Sequence, residues 1–197
     1  MASETLGNTL LSYPILALWD ASVSETKENQ MTARSPSARN HQTKALQIVA
    51  LLGWIALTFC ASATAVFVKT DGWYAAVEKP HWNPPSWVFG PVWTALYMMM
   101  ALAAWLIWRR GGWKAQRGPL TLYLVQLALN ALWTPLFFGL HRPDLAFFEI
   151  VILAVAIYGT VMVFWRVKRV AALLLVPYAL WTTFAAVLNF TIWRLNT

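Results

Sequence analysis

Cysteine is almost missing from this 197-residue chain: Cys60 is the single one, so no intrachain disulfide is possible. Charge is scarce as well. Only 12% of the residues are charged, about half of the ~25% usual in a soluble domain. The histidines, His41, His81 and His141, are far apart, and nothing has metal-ligand spacing. There is no P-loop, no dinucleotide-binding glycine fingerprint and no nucleophile elbow. No internal repeat is visible, which argues against an inverted-repeat transporter. These absences exclude disulfide scaffolds, zinc modules, nucleotide-driven enzymes and triad hydrolases, and they lead to the expectation of no metal and no resident cofactor.

What the chain has instead is long apolar runs, with 59% of its residues hydrophobic. No charge interrupts the sequence between Lys44 and Lys69, from Ser86 to Trp108, from Gly118 to His141, or from Val170 to Trp193. A fifth run, Leu145 to Trp165, contains one acid, Glu149. Each run reaches the roughly 20 residues that cross a bilayer. None shows the polar residue every third or fourth position of a soluble amphipathic helix. The fold class is therefore an all-α membrane protein, a bundle of five transmembrane helices.

The net charge of +7 raises the question of a nucleic-acid partner. Position answers it, because the basic residues sit at span ends, where they set topology, and no nucleic acid is expected. Arg34, Arg39, Lys44, Arg109, Arg110, Lys114, Arg117, Arg166, Lys168 and Arg169 lie on one side, ten in all, against Lys69, Lys79, Arg142 and Arg194 on the other. The positive-inside rule places the N-terminus inside and the C-terminus outside, in a bacterial membrane or a mitochondrial outer membrane.

Residues 1–44 read as a disordered polar tail and residues 45–197 as the membrane domain. Leu10 to Trp19 is apolar but too short to span, and Glu4 ahead of it makes a poor signal peptide. Met31 is an internal start candidate, followed by a basic, acid-free lead-in. The first loop reads TDGWYAAVEKPHWNPP, from Thr70 to Pro85. Its aromatics suit either an interfacial belt or a folded lid over a pocket, and the rigidity of Pro80, Pro84 and Pro85 favours the lid. The remaining loops are short, so spans two to five are expected as consecutive antiparallel neighbours.

Chemistry within the spans is aromatic and amide. Phe89, Trp93 and Leu96 share one face of the second span. Gln126, Asn130 and Trp133 form a stripe on the third. Trp181, Ala185 and Leu188 share a face of the fifth. Pro91, Pro135 and Pro177 lie within spans, where each can kink a helix or free a carbonyl. Asn130 and Asn189 need partners in hydrocarbon. Glu149, one turn from its helix start, is expected to snorkel to the interface, with proton relay as the other reading. Any one of the thirteen tryptophans can be simple core filling. Together, indoles and amides without charge describe a pocket for a flat, apolar, weakly polar ligand such as a sterol or tetrapyrrole.

The run KPHWNPPSWVFGPVWTALY, Lys79 to Tyr97, resembles the signature of the translocator protein family, whose bacterial members are tryptophan-rich sensory proteins and whose animal member was first known as a peripheral benzodiazepine receptor. WYAAVEKP, QLALNALW, PLFFG, VPYALW and LNFTIWR extend the likeness through all five spans. The resemblance implies a five-helix bundle, commonly a homodimer, that binds porphyrins such as protoporphyrin IX or haem. Some members also bind sterols or isoquinoline and benzodiazepine ligands. It implies a pocket of Tyr74, Phe89, Trp93, Asn130, Trp181, Ala185 and Leu188. In some bacterial relatives the tryptophans matching Trp93 and Trp181 support light-dependent protoporphyrin breakdown, so these two are the catalytic candidates if the chain degrades porphyrin. The family's proposed cholesterol motif asks for tyrosine where this chain has Phe190, so sterol recognition is not carried over at that position. The expected function is a porphyrin- or lipid-binding sensory or regulatory protein, with photo-oxidative enzyme and porphyrin or sterol carrier as alternatives.

Overall fold

The computed structural model describes residues 22–25, 36–66 and 72–197. The chain divides into two compact units, Met1–Leu46 and Gln47–Thr197. In the first, residues 22–25 form one helical turn, and a helix begins at Pro36. Most of the tail expected to be disordered lies outside the described residues.

Five long helices follow the five apolar runs. They are α1 (Pro36–Ser62), α2 (Ser86–Trp108), α3 (Arg117–Thr134), α4 (Pro143–Val167) and α5 (Arg169–Leu195). All five are long and apolar enough to cross a membrane, α1 over Lys44–Ser62 and α3 through Gly139. No more than 39% of any span is buried within the chain. A helix in a soluble core would hide most of such a surface; here Val155, Met162, Leu173 and Leu180 stay exposed and require lipid.

Side-chain contacts order the helices around the bundle as α1, α2, α5, α4, α3. Phe59 of α1 meets Tyr97 of α2, with ring centroids 5.7 Å apart, and Thr58 of α1 shares a 2.7 Å hydrogen bond with Tyr123 of α3. The α3–α4 and α4–α5 pairs are extensive, as the short loops predict. The expected α2–α3 pairing is thin, and α2 lies mainly against α5 instead. Across this pair Phe89 of α2 meets Trp181 of α5 and Trp93 of α2 meets Tyr178 of α5, with ring centroids 5.9 and 6.3 Å apart. α1 then fills the gap between α2 and α3.

The bundle is not uniform along its length. Its end near Trp108 and Arg169 is filled solid by Ile107, Tyr123, Phe164 and Leu175. Its other end, beneath the first loop, is hollow. Pro91 and Pro177 sit inside α2 and α5 without ending them. Pro135 instead opens a π-helical turn, Pro135–Gly139, in which Leu140 N–H bonds to the Pro135 carbonyl at 2.8 Å. Such turns displace side chains from the regular helical stripe. The chain then reverses at His141, whose φ of 53° lies in the left-handed region that non-glycine residues avoid.

Glu149 does not snorkel. It is 6% exposed, and neither carboxyl oxygen has a hydrogen-bond partner. It shares the inward face of α4 with Ala146, Ile150 and Leu153, which directs it into the bundle.

Candidate ligand-binding site

The hollow end encloses a cavity of about 700 Å³. All eight residues singled out by sequence line it: Tyr74, Phe89, Trp93, Asn130, Trp133, Trp181, Ala185 and Leu188. The stripes on α2, α3 and α5 therefore converge on one space. Leu96 and Gln126, from the same stripes, do not reach it; both are buried in the packed interior, and the Gln126 amide has no partner there.

Aromatic contacts fix the wall. The Phe89 and Trp181 rings meet edge-on with centroids 5.9 Å apart, bridging α2 and α5. Trp93 stacks on Tyr97 at 5.5 Å and touches Tyr178 edge-on at 6.3 Å. Trp133 stacks on Phe137 at 5.0 Å. These offset and edge-on geometries suit the ring quadrupoles and hold each indole in one orientation.

Asn130 and Asn189, unlike Gln126, find partners inside the bundle. Tyr97 donates to Asn130 Oδ1 at 2.8 Å. Trp133 Nε1 donates to Asn189 Oδ1 at 3.1 Å, and Asn189 Nδ2 donates to the Pro143 carbonyl at 2.7 Å. The Trp133–Asn189 bond ties α3 to α5, and Trp133 lines the cavity. Sequence reasoning left Tyr97, Phe137, Phe138 and Asn189 out of the site. Tyr97 lies one turn beyond Trp93 and continues that stripe. Phe137 lies one turn beyond Trp133 and continues the α3 stripe, and Phe138 joins it from within the π turn.

The first loop lies over this end as an ordered structure from Gly72 onward; residues 67–71 are outside the described set. Trp73–Ala76 forms a helical turn. Trp73 stacks on His141 at 4.7 Å, and Tyr74 meets Phe138 edge-on at 5.3 Å, so the loop packs on the π turn and on the reversal after it. Tyr74 donates to Asn83 Oδ1 at 3.2 Å across the loop. Burial pushes the Tyr74 phenol above its ordinary pKa, and the bond to Asn83 opposes that shift. Trp82 contacts Phe184 of α5 at 5.9 Å. At the far edge Asn196 clamps the loop, accepting from Glu78 N–H and donating to the Glu78 carbonyl, both at 3.0 Å. The loop is thus a lid seated on α3 and α5. Phe190, the position of the proposed sterol motif, is half-exposed and packs on Phe147 at 5.1 Å, away from the cavity lining.

No group of three or more His, Cys, Asp or Glu able to hold a metal occurs among the described residues. Among its described residues the cavity lining contains no acid and no histidine. It is a binding space with aromatic walls and a few neutral polar groups.

Five membrane-spanning helices around a lidded aromatic cavity define a polytopic membrane protein with a built-in small-molecule site. The chain belongs to the TspO/MBR family, whose sequence profile matches residues 46–194. It is 41% identical over 150 residues to the tryptophan-rich protein TspO of Archaeoglobus fulgidus, covering 76% of this chain and 95% of that one. It is 39% identical over 142 residues to protein CrtK of Rhodobacter capsulatus, covering 70% and 86%. It is 40% identical over 134 residues to the human translocator protein, covering 66% and 79%.

Proposed function

We propose that the chain is a sensory or regulatory membrane protein that binds a tetrapyrrole such as protoporphyrin IX or haem in the cavity beneath the first loop. The observation that supports this most directly is the cavity itself. At about 700 Å³ it falls within the ~300–1,000 Å³ of small-molecule sites. Its indole and phenyl walls, on Trp93, Trp133, Trp181, Phe89 and Phe137, suit a broad flat ring system. Neutral amides and hydroxyls at Asn130, Thr182 and Asn189 supply a few polar contacts without requiring a charged ligand core. Isoquinoline- and benzodiazepine-type compounds fit the same description. A homodimer in the lipid bilayer is the assembly in which we expect the site to operate.

The photo-oxidative reading draws on one feature: Trp93 and Trp181, both oxidisable, line the cavity from the neighbouring helices α2 and α5. In that reading light excites a bound porphyrin, dioxygen is the terminal oxidant, and the indoles relay electrons. One experiment tests both readings. Purified protein is titrated with protoporphyrin IX by tryptophan quenching, then illuminated in air and its products separated. Saturable one-site binding supports the binding function, and absence of binding refutes it. A protein-dependent photoproduct that Trp181→Phe abolishes while retaining binding assigns the enzyme; bleaching equal to that of free porphyrin removes it.

A further inference from the structure

Among the described residues lining the cavity, one is charged: Lys79. It lies on the lid, beside Asn83 and the first residue of α2, Ser86, all three lining the mouth. Its ammonium sits 4.8 Å from the centroid of the Tyr74 ring and donates to the Val77 carbonyl at 2.6 Å. These contacts hold the group in place, and no acid among the described residues pairs with it. The one ion pair among the described residues is Arg142–Asp144, and the neighbouring Glu78 is exposed and makes none. The backbone of α2 begins at Pro85 with no side-chain cap, which adds partial positive charge to the same edge. Everything deeper in the cavity is neutral.

We propose that Lys79 is a specificity-determining residue that selects flat apolar ligands bearing a carboxylate at one edge, with the ring system against the indoles and the carboxylate at the lid. This rests on the tetrapyrrole reading above and refines it. The charge is placed where a ligand's anionic edge remains near water while its body is buried, so the ion contact forms without carrying the carboxylate into hydrocarbon. A cation held over a tyrosine face by backbone bonds loses little further freedom when it meets an anion. A neutral ligand of the same shape gains the stacking and forgoes the charge-assisted bond.

The test compares protoporphyrin IX with its dimethyl ester, which keeps the ring and removes both charges. Binding is measured in nanodiscs of phosphatidylcholine alone, so that no anionic lipid competes for the lysine. Wild-type protein should prefer the acid by roughly tenfold to a hundredfold. Lys79→Met should bring the acid-to-ester ratio to about one, and Lys79→Arg should keep it high. Lys79→Gln, which retains a donor for the Val77 carbonyl, replaces the methionine variant if that one does not fold. A wild-type ratio near one, or a ratio that survives both neutral variants, overturns the assignment while leaving tetrapyrrole binding standing. Failure of the wild type to bind either compound instead refutes the binding function itself.

Discussion

Ala185 is the residue on which the pocket geometry can be tested most sharply. It lies one turn from Trp181 and nearly one turn from Leu188, and all three line the cavity. A methyl at this position leaves space against the Trp181 indole for a flat ring. Ala185→Thr adds a methyl and a hydroxyl, and the hydroxyl can bond back to the Trp181 carbonyl and bend α5. Overpacking of this kind costs about 1–3 kcal/mol, or roughly tenfold to a hundredfold in affinity. Titration of the variant with protoporphyrin IX and with an isoquinoline ligand checks this; two unchanged affinities would mean that this face of α5 does not meet the ligand. Much of the site was legible at this scale because spacing of three, four and seven residues maps directly onto a helix face. In the sequence Lys79 is one of four basic residues on the less basic side of the membrane. Its role at the cavity mouth depends on how the loop folds back, which no periodicity records.

At the scale of elements, the lid is the part whose behaviour follows least from the sequence. Its aromatics fit a belt or a lid, and its prolines favour the lid, but where it seats is visible only in the contacts of Trp73 with His141 and of Trp82 with Phe184. Its far edge is held by Asn196, a residue with no visible signal because it lies 118 positions away from Glu78 in the chain. The amide makes two bonds to the Glu78 backbone and a third, at 2.8 Å, to the Ile192 carbonyl. Each such bond contributes about 0.5–1.5 kcal/mol net, less when exposed. Asn196→Ala should therefore loosen the lid without unfolding the bundle. Hydrogen exchange between Trp73 and Trp82 should quicken in the variant, and bound porphyrin should dissociate several-fold faster in stopped flow. In the wild type, ligand should slow exchange over the same segment. Exchange that is fast and indifferent to both ligand and Asn196 would show that the loop does not close the cavity. The α2–α5 pairing is hidden for a related reason: short loops report which helices follow one another, not which helices pack across the bundle.

The whole molecule is polar from end to end in two senses. One end is solid and basic. There Arg109 lies over the Trp105 ring at 4.6 Å and Arg169 over Trp165 at 5.9 Å, consistent with guanidinium groups anchored at a membrane surface. The other end holds the lid, the cavity, the α3–α4 reversal and the C-terminus, which Asn196 ties together with the loop. The excess of lysine and arginine at the solid end predicts that it faces the cytosol or bacterial interior, and that the lidded cavity opens on the opposite face. With Cys60 replaced by alanine, Lys114→Cys in the second loop and His81→Cys in the lid give two reporters on exposed segments. A membrane-impermeant maleimide added to intact cells or organelles should label the lid position and not the second loop, and permeabilisation should expose the second loop. Labelling of both from one side would break the five-span topology, and the reverse pattern would invert the orientation. The expected pattern has a functional consequence. A ligand with a charged edge crosses a bilayer slowly, so it would reach the cavity from the outer face, where Lys79 stands at the mouth.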